Sequence, residues 1–119
     1  KKQIEISGAN ILIMGLTFKE NCPDLRNTRV LDIVEELETS NCNVDLFDPW
    51  VNYDNALEDF GIKTIKKPFN NKYDAIIMAV AHNEFKQLSI KQIKAFAKEN
   101  HVIYDIKYIL KANQVDGRL

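Results

Sequence analysis

The sequence predicts an α/β domain of three layers, with a parallel sheet of about five strands between helices. Three observations carry that expectation. Two apolar runs, residues 10–15 and 74–80, are uninterrupted, as strands buried on both faces of a parallel sheet are. Segments of helical period alternate with the strand candidates, which is the order of a parallel sheet joined by right-handed crossovers. The composition is that of a folded domain: 45% hydrophobic, 28% charged, with only four Gly and three Pro. That balance excludes disordered, collagen-like and low-complexity chains.

Each element has its own reason. Residues 1–6 are mainly polar and lead to a turn at Ser7-Gly8. The first strand, residues 10–15, ends in glycine. Over residues 28–40 the period changes. Val30, Leu31, Val34 and Leu37 share one side and Asp32, Glu35, Glu36 and Glu38 the other, an amphipathic helix. Residues 43–47 form a second strand stopped by Asp48-Pro49. Residues 53–60 form a short helix ended by Gly61, and residues 62–65 a short third strand. Residues 74–80 are the second buried strand. Ser89 caps a helix with Ile90, Ile93 and Phe96 inward and Lys91, Lys94 and Lys98 outward. Residues 101–105 are the last strand. There is no internal repeat or linker, so residues 1–119 read as one domain. The sequence begins at Lys1 without an initiator Met, which predicts a fragment of a longer protein.

Charge and cysteine content narrow the function. Sixteen basic and seventeen acidic residues give a net charge of −1. That argues against a general nucleic-acid or membrane-surface partner, while leaving room for a local basic site. Cys22 and Cys42 match no metal or redox spacing and read as free thiols of a reducing cytosol. No apolar run approaches the ~18 residues of a membrane span.

Ligands of open parallel sheets bind beyond the carboxyl ends of the strands, where strand order reverses. That points to the exit of the first strand. The connection there, residues 16–27, exceeds the usual ~2–6 residues of such a loop. It brings Lys19, Arg26 and Arg29 around one helix start, where backbone N–H groups already favour an anion. Lysine supplies a point charge, arginine a fork that matches phosphate oxygens, and Phe18 an apolar face for a base or sugar. The same charges are equally compatible with pairing inside the loop, Lys19 with Glu20 and Arg26 with Asp24. One glycine, Gly15, stands where a dinucleotide fingerprint needs three, and the loop is not a P-loop either. Without the glycines, Asp48 reads as a cap of the turn at Pro49 rather than a ribose acceptor. His82 reads as a turn or cap residue rather than a base. Cys22 has no neighbouring His in sequence and is not a nucleophile candidate. Lys107, two residues past the last strand, is open between a solvated lysine and a ligand contact.

The stretch from Gly15 through Thr17-Phe18-Lys19 and Asp24-Leu25-Arg26 to Thr28 resembles the G-[LF]-[TA]-F-K-x(4)-D-x-R-x-[ST] segment of the UDP-glucose/GDP-mannose dehydrogenase family. That segment opens the family's C-terminal, UDP-binding domain, a Rossmann-like α/β unit. The resemblance continues through Val44-Asp45-Leu46-Phe47-Asp48-Pro49, Tyr73-Asp74-Ala75-Ile76-Ile77, Ala81-His82-Asn83-Glu84-Phe85 and Tyr104-Asp105-Ile106-Lys107, nearly the whole chain. The wording around Phe18 and the ending Val115-Asp116-Gly117-Arg118-Leu119 look most like members that oxidise UDP-N-acetylhexosamines.

The resemblance implies a parent enzyme that oxidises the sugar C6 hydroxyl to a carboxylate in two NAD-dependent steps. It also implies a cytoplasmic homo-oligomer serving surface-polysaccharide synthesis. Substrate would lie between this domain and an N-terminal catalytic domain, which would carry the catalytic cysteine, the acid/base residues and most of the NAD site. By the same resemblance, Phe18 and Lys19 match contacts to the UDP-sugar, and Arg26 an arginine that reaches NAD across the domain gap. Lys107 stands where many members carry a substrate-contacting Arg, and a lysine there lacks the bidentate fork. Asp24 and Thr28 match loop-shaping and helix-capping positions. Cys22 does not match the catalytic cysteine's motif. Two alternatives belong to other classes. A phospho-receiver domain would need an acidic pair after the first strand, where Gly15-Leu16-Thr17 stands. A structural docking module could use Ile4-Glu5-Ile6 as an interface.

Overall fold

The computed structural model describes residues 6–107 and 109–118; Ile4 and Glu5 lie outside the described residues. Five strands, β1 (Asn10–Met14), β2 (Asn43–Phe47), β3 (Tyr73–Met78), β4 (Ala97–Asp105) and β5 (Gly117–Arg118), form one sheet. Its order is β2-β1-β3-β4-β5 and every pairing is parallel. Helices α1 (Val30–Thr39), α2 (Tyr53–Phe60), α3 (Asn83–Lys86) and α4 (Ile90–Lys94) and a 3₁₀ turn at Ala112–Gln114 make the connections. The three-layer α/β expectation is met.

The core lies on both faces of β1, as its unbroken apolar run requires. Ile11 and Ile13 join one buried cluster, against which α1 packs Val30, Leu31, Ile33, Val34 and Leu37. Leu12 and Met14 join the other, with Tyr73, Ile76, Met78, Phe85 and Ile93. Each fully buried aliphatic side chain contributes about 1.5–3 kcal/mol. A strand sharing both clusters therefore fixes its register firmly.

The fifth strand is not the expected one. Residues 62–65 run beside β2 but form no strand. Gly61 closes α2 in the left-handed region (φ 67°), and the cap uses the N–H groups of Gly61 and Ile62, which donate to Leu57 and Ala56. One bond, Ile65 N–H to the Leu46 carbonyl at 2.8 Å, remains for β2. The fifth strand is instead the pair Gly117–Arg118 beside β4, where a Cβ on Gly117 would collide with the Tyr104 ring. Two residues of that kind carry no apolar pattern to read.

Other boundaries shift for local reasons. α1 starts at Val30 rather than at residue 28, because the Thr28 hydroxyl accepts the Val30 N–H at 3.2 Å and donates to the Leu16 carbonyl at 2.6 Å. Ser89 and Gln92 form the reciprocal capping box of α4, which ends at Lys94. Phe96 still packs inward, from the turn into β4. β4 begins at Ala97 rather than at residue 101, because its register jumps from Tyr73↔Ala97 to Ala75↔Val102 and leaves Lys98, Glu99 and Asn100 exposed in a bulge. The chain moves from β1 outward to β2, then returns past β1 to β3. Strand order reverses between β1 and β3, so the crevice opens at their carboxyl ends.

Candidate functional site

The loop from Gly15 to Thr28 is built by its own hydrogen bonds. Gly15 sits at φ 108°, and a Cβ there would come within 2.6–2.8 Å of Val80, so glycine is required on both counts. The Phe18 N–H donates to the Asp24 carbonyl at 2.9 Å, which folds the loop back on itself. Leu25 is buried in the α1-side core and anchors the loop's far limb. Thr28 ties the end of the loop to its start through Leu16.

Beneath the loop lies a buried pair, Asp48 and His82, their side chains fully enclosed. Asp48 follows β2 and His82 precedes α3, so each comes from a strand beside β1. Oδ2 of Asp48 accepts from the N–H of Leu16 (2.6 Å), the N–H of Thr17 (3.1 Å) and Nε2 of His82 (2.9 Å), while Oδ1 accepts from the N–H of Trp50 (2.8 Å). Nδ1 of His82 accepts the N–H of Asn21 at 2.9 Å. An accepting Nδ1 puts the ring proton on Nε2, which then donates to Asp48. The ring stacks on Trp50 at an interplanar angle of 28°, centroids 6.0 Å apart, and the Trp50 indole N–H donates to Glu84 at 2.9 Å. The turn-capping reading of Asp48 is thus the one the geometry supports. Its oxygens are taken by inward donors, so it does not fit the ribose of a dinucleotide at this strand exit. Sequence reading saw Asp48 and His82 singly and missed their meeting. The strand order 2-1-3 would have signalled it.

Above this base is a cleft of about 320 Å³, lined at the β1 exit by Thr17, Phe18, Lys19 and Glu20. Thr28, Arg29, Val30 and Ile33 line it at the start of α1, Ala79 and Val80 at the β3 exit, and Ile106 and Lys107 at the β4 exit. Its size is that of small-molecule sites. The structure brings Phe18, Lys19 and Lys107 into this one cleft and adds Arg29. Phe18 is 55% exposed, so its ring is open to a ligand. Three cations face one carboxylate, Glu20, over a floor of Val30, Ile33, Ala79, Val80 and Ile106. Among the described residues Lys19 makes no ion pair, so the pairing of Lys19 with Glu20 does not occur. Asp105 shapes the turn that presents Lys107, accepting the Lys107 N–H at 3.2 Å and the Leu110 N–H at 2.7 Å. Such a site can hold a flat ring by its apolar part and an anion by its rim.

Arg26 lies elsewhere. It lines a separate cleft of about 250 Å³ with Trp50, Asn52, Asn55 and Phe60. Its fork grips Asp24, Nε to Oδ1 at 3.0 Å and an Nη to Oδ2 at 3.2 Å. The hydrogen bonds of this exposed pair hold the Asp24 carboxyl below its ordinary pKa and raise that of Arg26. The pairing of Arg26 within the loop is therefore real in the free chain. Cys22 and Cys42 are both free thiols. Among the described residues, no helix is long and apolar enough to cross a membrane.

The comparisons with known proteins bear on this geometry. Residues 12–112 match the model of the UDP-glucose/GDP-mannose dehydrogenase family, UDP binding domain. A UDP-N-acetyl-D-glucosamine 6-dehydrogenase of Pseudomonas aeruginosa is 51% identical and one of Salmonella typhi 50% identical, each over all 119 residues of the chain. The chain spans 28% of the length of these relatives. A solved UDP-D-ManNAc dehydrogenase from Pyrococcus horikoshii superposes with a TM-score of 0.75 at 28% identity, covering 97% of this chain and 26% of that one. With the family model covering most of the sequence, the receiver-domain alternative falls away. This chain belongs to the UDP-glucose/GDP-mannose dehydrogenase family, over the part that its UDP binding domain describes.

Proposed function

We propose that this chain is the UDP-sugar-binding domain, residues 1–119, of an NAD-dependent nucleotide-sugar dehydrogenase. The reaction of the whole enzyme would oxidise the C6 hydroxyl of a UDP-hexose or UDP-N-acetylhexosamine to the uronate, in the cytoplasm. The relatives at about half identity act on UDP-N-acetyl-D-glucosamine by name and favour the second substrate. The observation that carries the reading is the cleft at the strand-order reversal, where Lys19, Arg29 and Lys107 converge beside the open ring of Phe18. A uridine diphosphate has the complementary parts, a flat base and two phosphates. Lys19 and Lys107 act as point charges on the diphosphate, Phe18 supports the base or sugar, and Arg29 can grip phosphate oxygens with its fork.

Residues fitted to NAD are scarce in this chain. Gly15 stands alone without a glycine fingerprint, and Asp48 is fully engaged. The domain therefore contributes Arg26 to the cofactor at most, once it lets go of Asp24. An N-terminal catalytic domain supplies the rest, and the chain alone turns over no substrate. Titration of the ¹⁵N-labelled chain with UDP tests the binding claim. Shifts at the amides of Phe18, Lys19 and Lys107, weakened by Lys19→Ala, are expected; no shifts at millimolar UDP refute it.

A further inference from the structure

We infer that His82 is a positioning residue, which presets the Phe18–Lys19 turn for its ligand without touching that ligand. The inference rests on the UDP-binding reading for its consequence, and on geometry for its cause. The imidazole joins the two ends of a five-residue turn. At the near end, Nε2 donates to Asp48, which itself holds the N–H groups of Leu16 and Thr17. At the far end, Nδ1 takes the N–H of Asn21. Between them the Thr17 hydroxyl, 3.2 Å from Nε2, donates to the Lys19 carbonyl at 3.0 Å. Asn21 adopts φ 55°, in the left-handed region that asparagine tolerates better than most L-residues, which lets the chain turn there. Its side-chain oxygen also accepts the Asn83 N–H at 2.9 Å, which ties the turn to the start of α3.

Every polar atom of the imidazole is thus spent on the turn and its base, and the ring is wholly buried. Nothing of it is left to touch a ligand in the cleft. Phe18, Lys19 and Glu20, the three residues between the ends of the clamp, are exposed, and the backbone they hang from is held at both ends. A turn ordered before binding spares the ligand the entropy of ordering it. Without the clamp, the ligand must select the bound turn from an ensemble, and apparent affinity falls by the fraction of chains that hold it.

The test uses the 119-residue chain and UDP as the probe. His82→Phe keeps an aromatic ring against Trp50 and Phe85 but neither donates nor accepts. UDP affinity, read at a temperature where the variant is folded, is expected to fall about tenfold or more, with His82→Gln intermediate because its amide both donates and accepts. Tyr73→Phe, altered in the core away from this loop, is the control for general destabilisation and is expected to bind UDP as the unaltered chain does. Equal UDP affinity in folded His82→Phe, or in His82→Gln and the control if His82→Phe does not fold, overturns the inference. If the unaltered chain shows no UDP shifts, the binding reading fails instead, and amide exchange in ligand-free protein decides the clamp. Faster exchange at Asn21 in either His82 variant, with Ile13 and Ile76 unchanged, supports it; unchanged Asn21 exchange overturns it.

Discussion

Replacing Asp48 by alanine should be among the most damaging substitutions away from the apolar core. Four donors converge on its carboxylate: the N–H groups of Leu16, Thr17 and Trp50 and Nε2 of His82. Leu16, Thr17 and His82 are at most 2% exposed, so three of those donors have no bulk water to turn to. An unsatisfied buried donor costs about 1–3 kcal/mol, which puts the loss near 3–9 kcal/mol. A water entering the vacated space would recover part of it and hold the loss to about 3–6 kcal/mol. A domain's whole stability is about 5–15 kcal/mol, so much of it would go. Asp48→Asn separates charge from shape. Its one carbonyl oxygen can serve the three donors now on Oδ2, while its amide N–H₂ faces the Trp50 N–H, for a loss of about 2–3 kcal/mol. Urea unfolding followed by circular dichroism measures both, with the midpoint reporting stability and the slope the surface exposed. Asp24→Asn, at a carboxylate near the surface, is the control and should leave the unfolding midpoint close to that of the unaltered chain. A loss below about 1 kcal/mol in Asp48→Ala, at unchanged slope, would refute the claim that this carboxylate holds the strand exits together.

Three further outcomes follow from the same structure. Gly15→Ala meets both a positive φ and the backbone of Val80, and should lower stability by about 3 kcal/mol or more in thermal melts; adding Val80→Ala removes only the Cγ2 contact and leaves those with Cβ and the backbone nitrogen. Because Arg26 lowers the Asp24 pKa, the pair is intact above the ordinary carboxylate range and is lost as pH falls through the depressed folded value. Arg26→Gln should move the Asp24 titration, followed by carboxyl carbon NMR, back up. Burial first, and then the 2.6 Å bond to Asp45, raise the Tyr73 phenol above the ordinary tyrosine range. A raised folded pKa contributes stability below the unfolded value, about 10, and loses it as pH climbs from there. Tyr73→Phe should therefore flatten the fall in stability seen in melts as pH rises above about 10, and leave the profile below that pH unchanged in slope.

Much of the fold was legible because its signals are local. The unbroken run of β1 requires cover on both faces, and both faces are covered. The Ser89 cap and the Gly61 stop are set by side chain and backbone within four residues, and both stand where expected. The failures share a cause. Residues 62–65 have strand composition, but their first N–H is claimed by the α2 cap. Gly117–Arg118 has no such composition and pairs only because β4 offers an open edge. α3, four residues long, is too short to show a period.

The sequence by itself determined the longer elements, β1, α1, β2, α2, β3 and α4, and that a cation-bearing loop follows the first strand. Those depend on neighbours along the chain. Only the tertiary structure decided that Lys107, 88 positions after Lys19, lines the same cleft while Arg26, seven after it, faces another and grips Asp24. It alone decided, too, that Asp48 and His82 meet beneath Thr17. The reason is the parallel sheet. Its crossovers bring the carboxyl ends of β2, β1 and β3 side by side, and which strands neighbour each other is set by packing both faces at once, not by any stretch of sequence read alone.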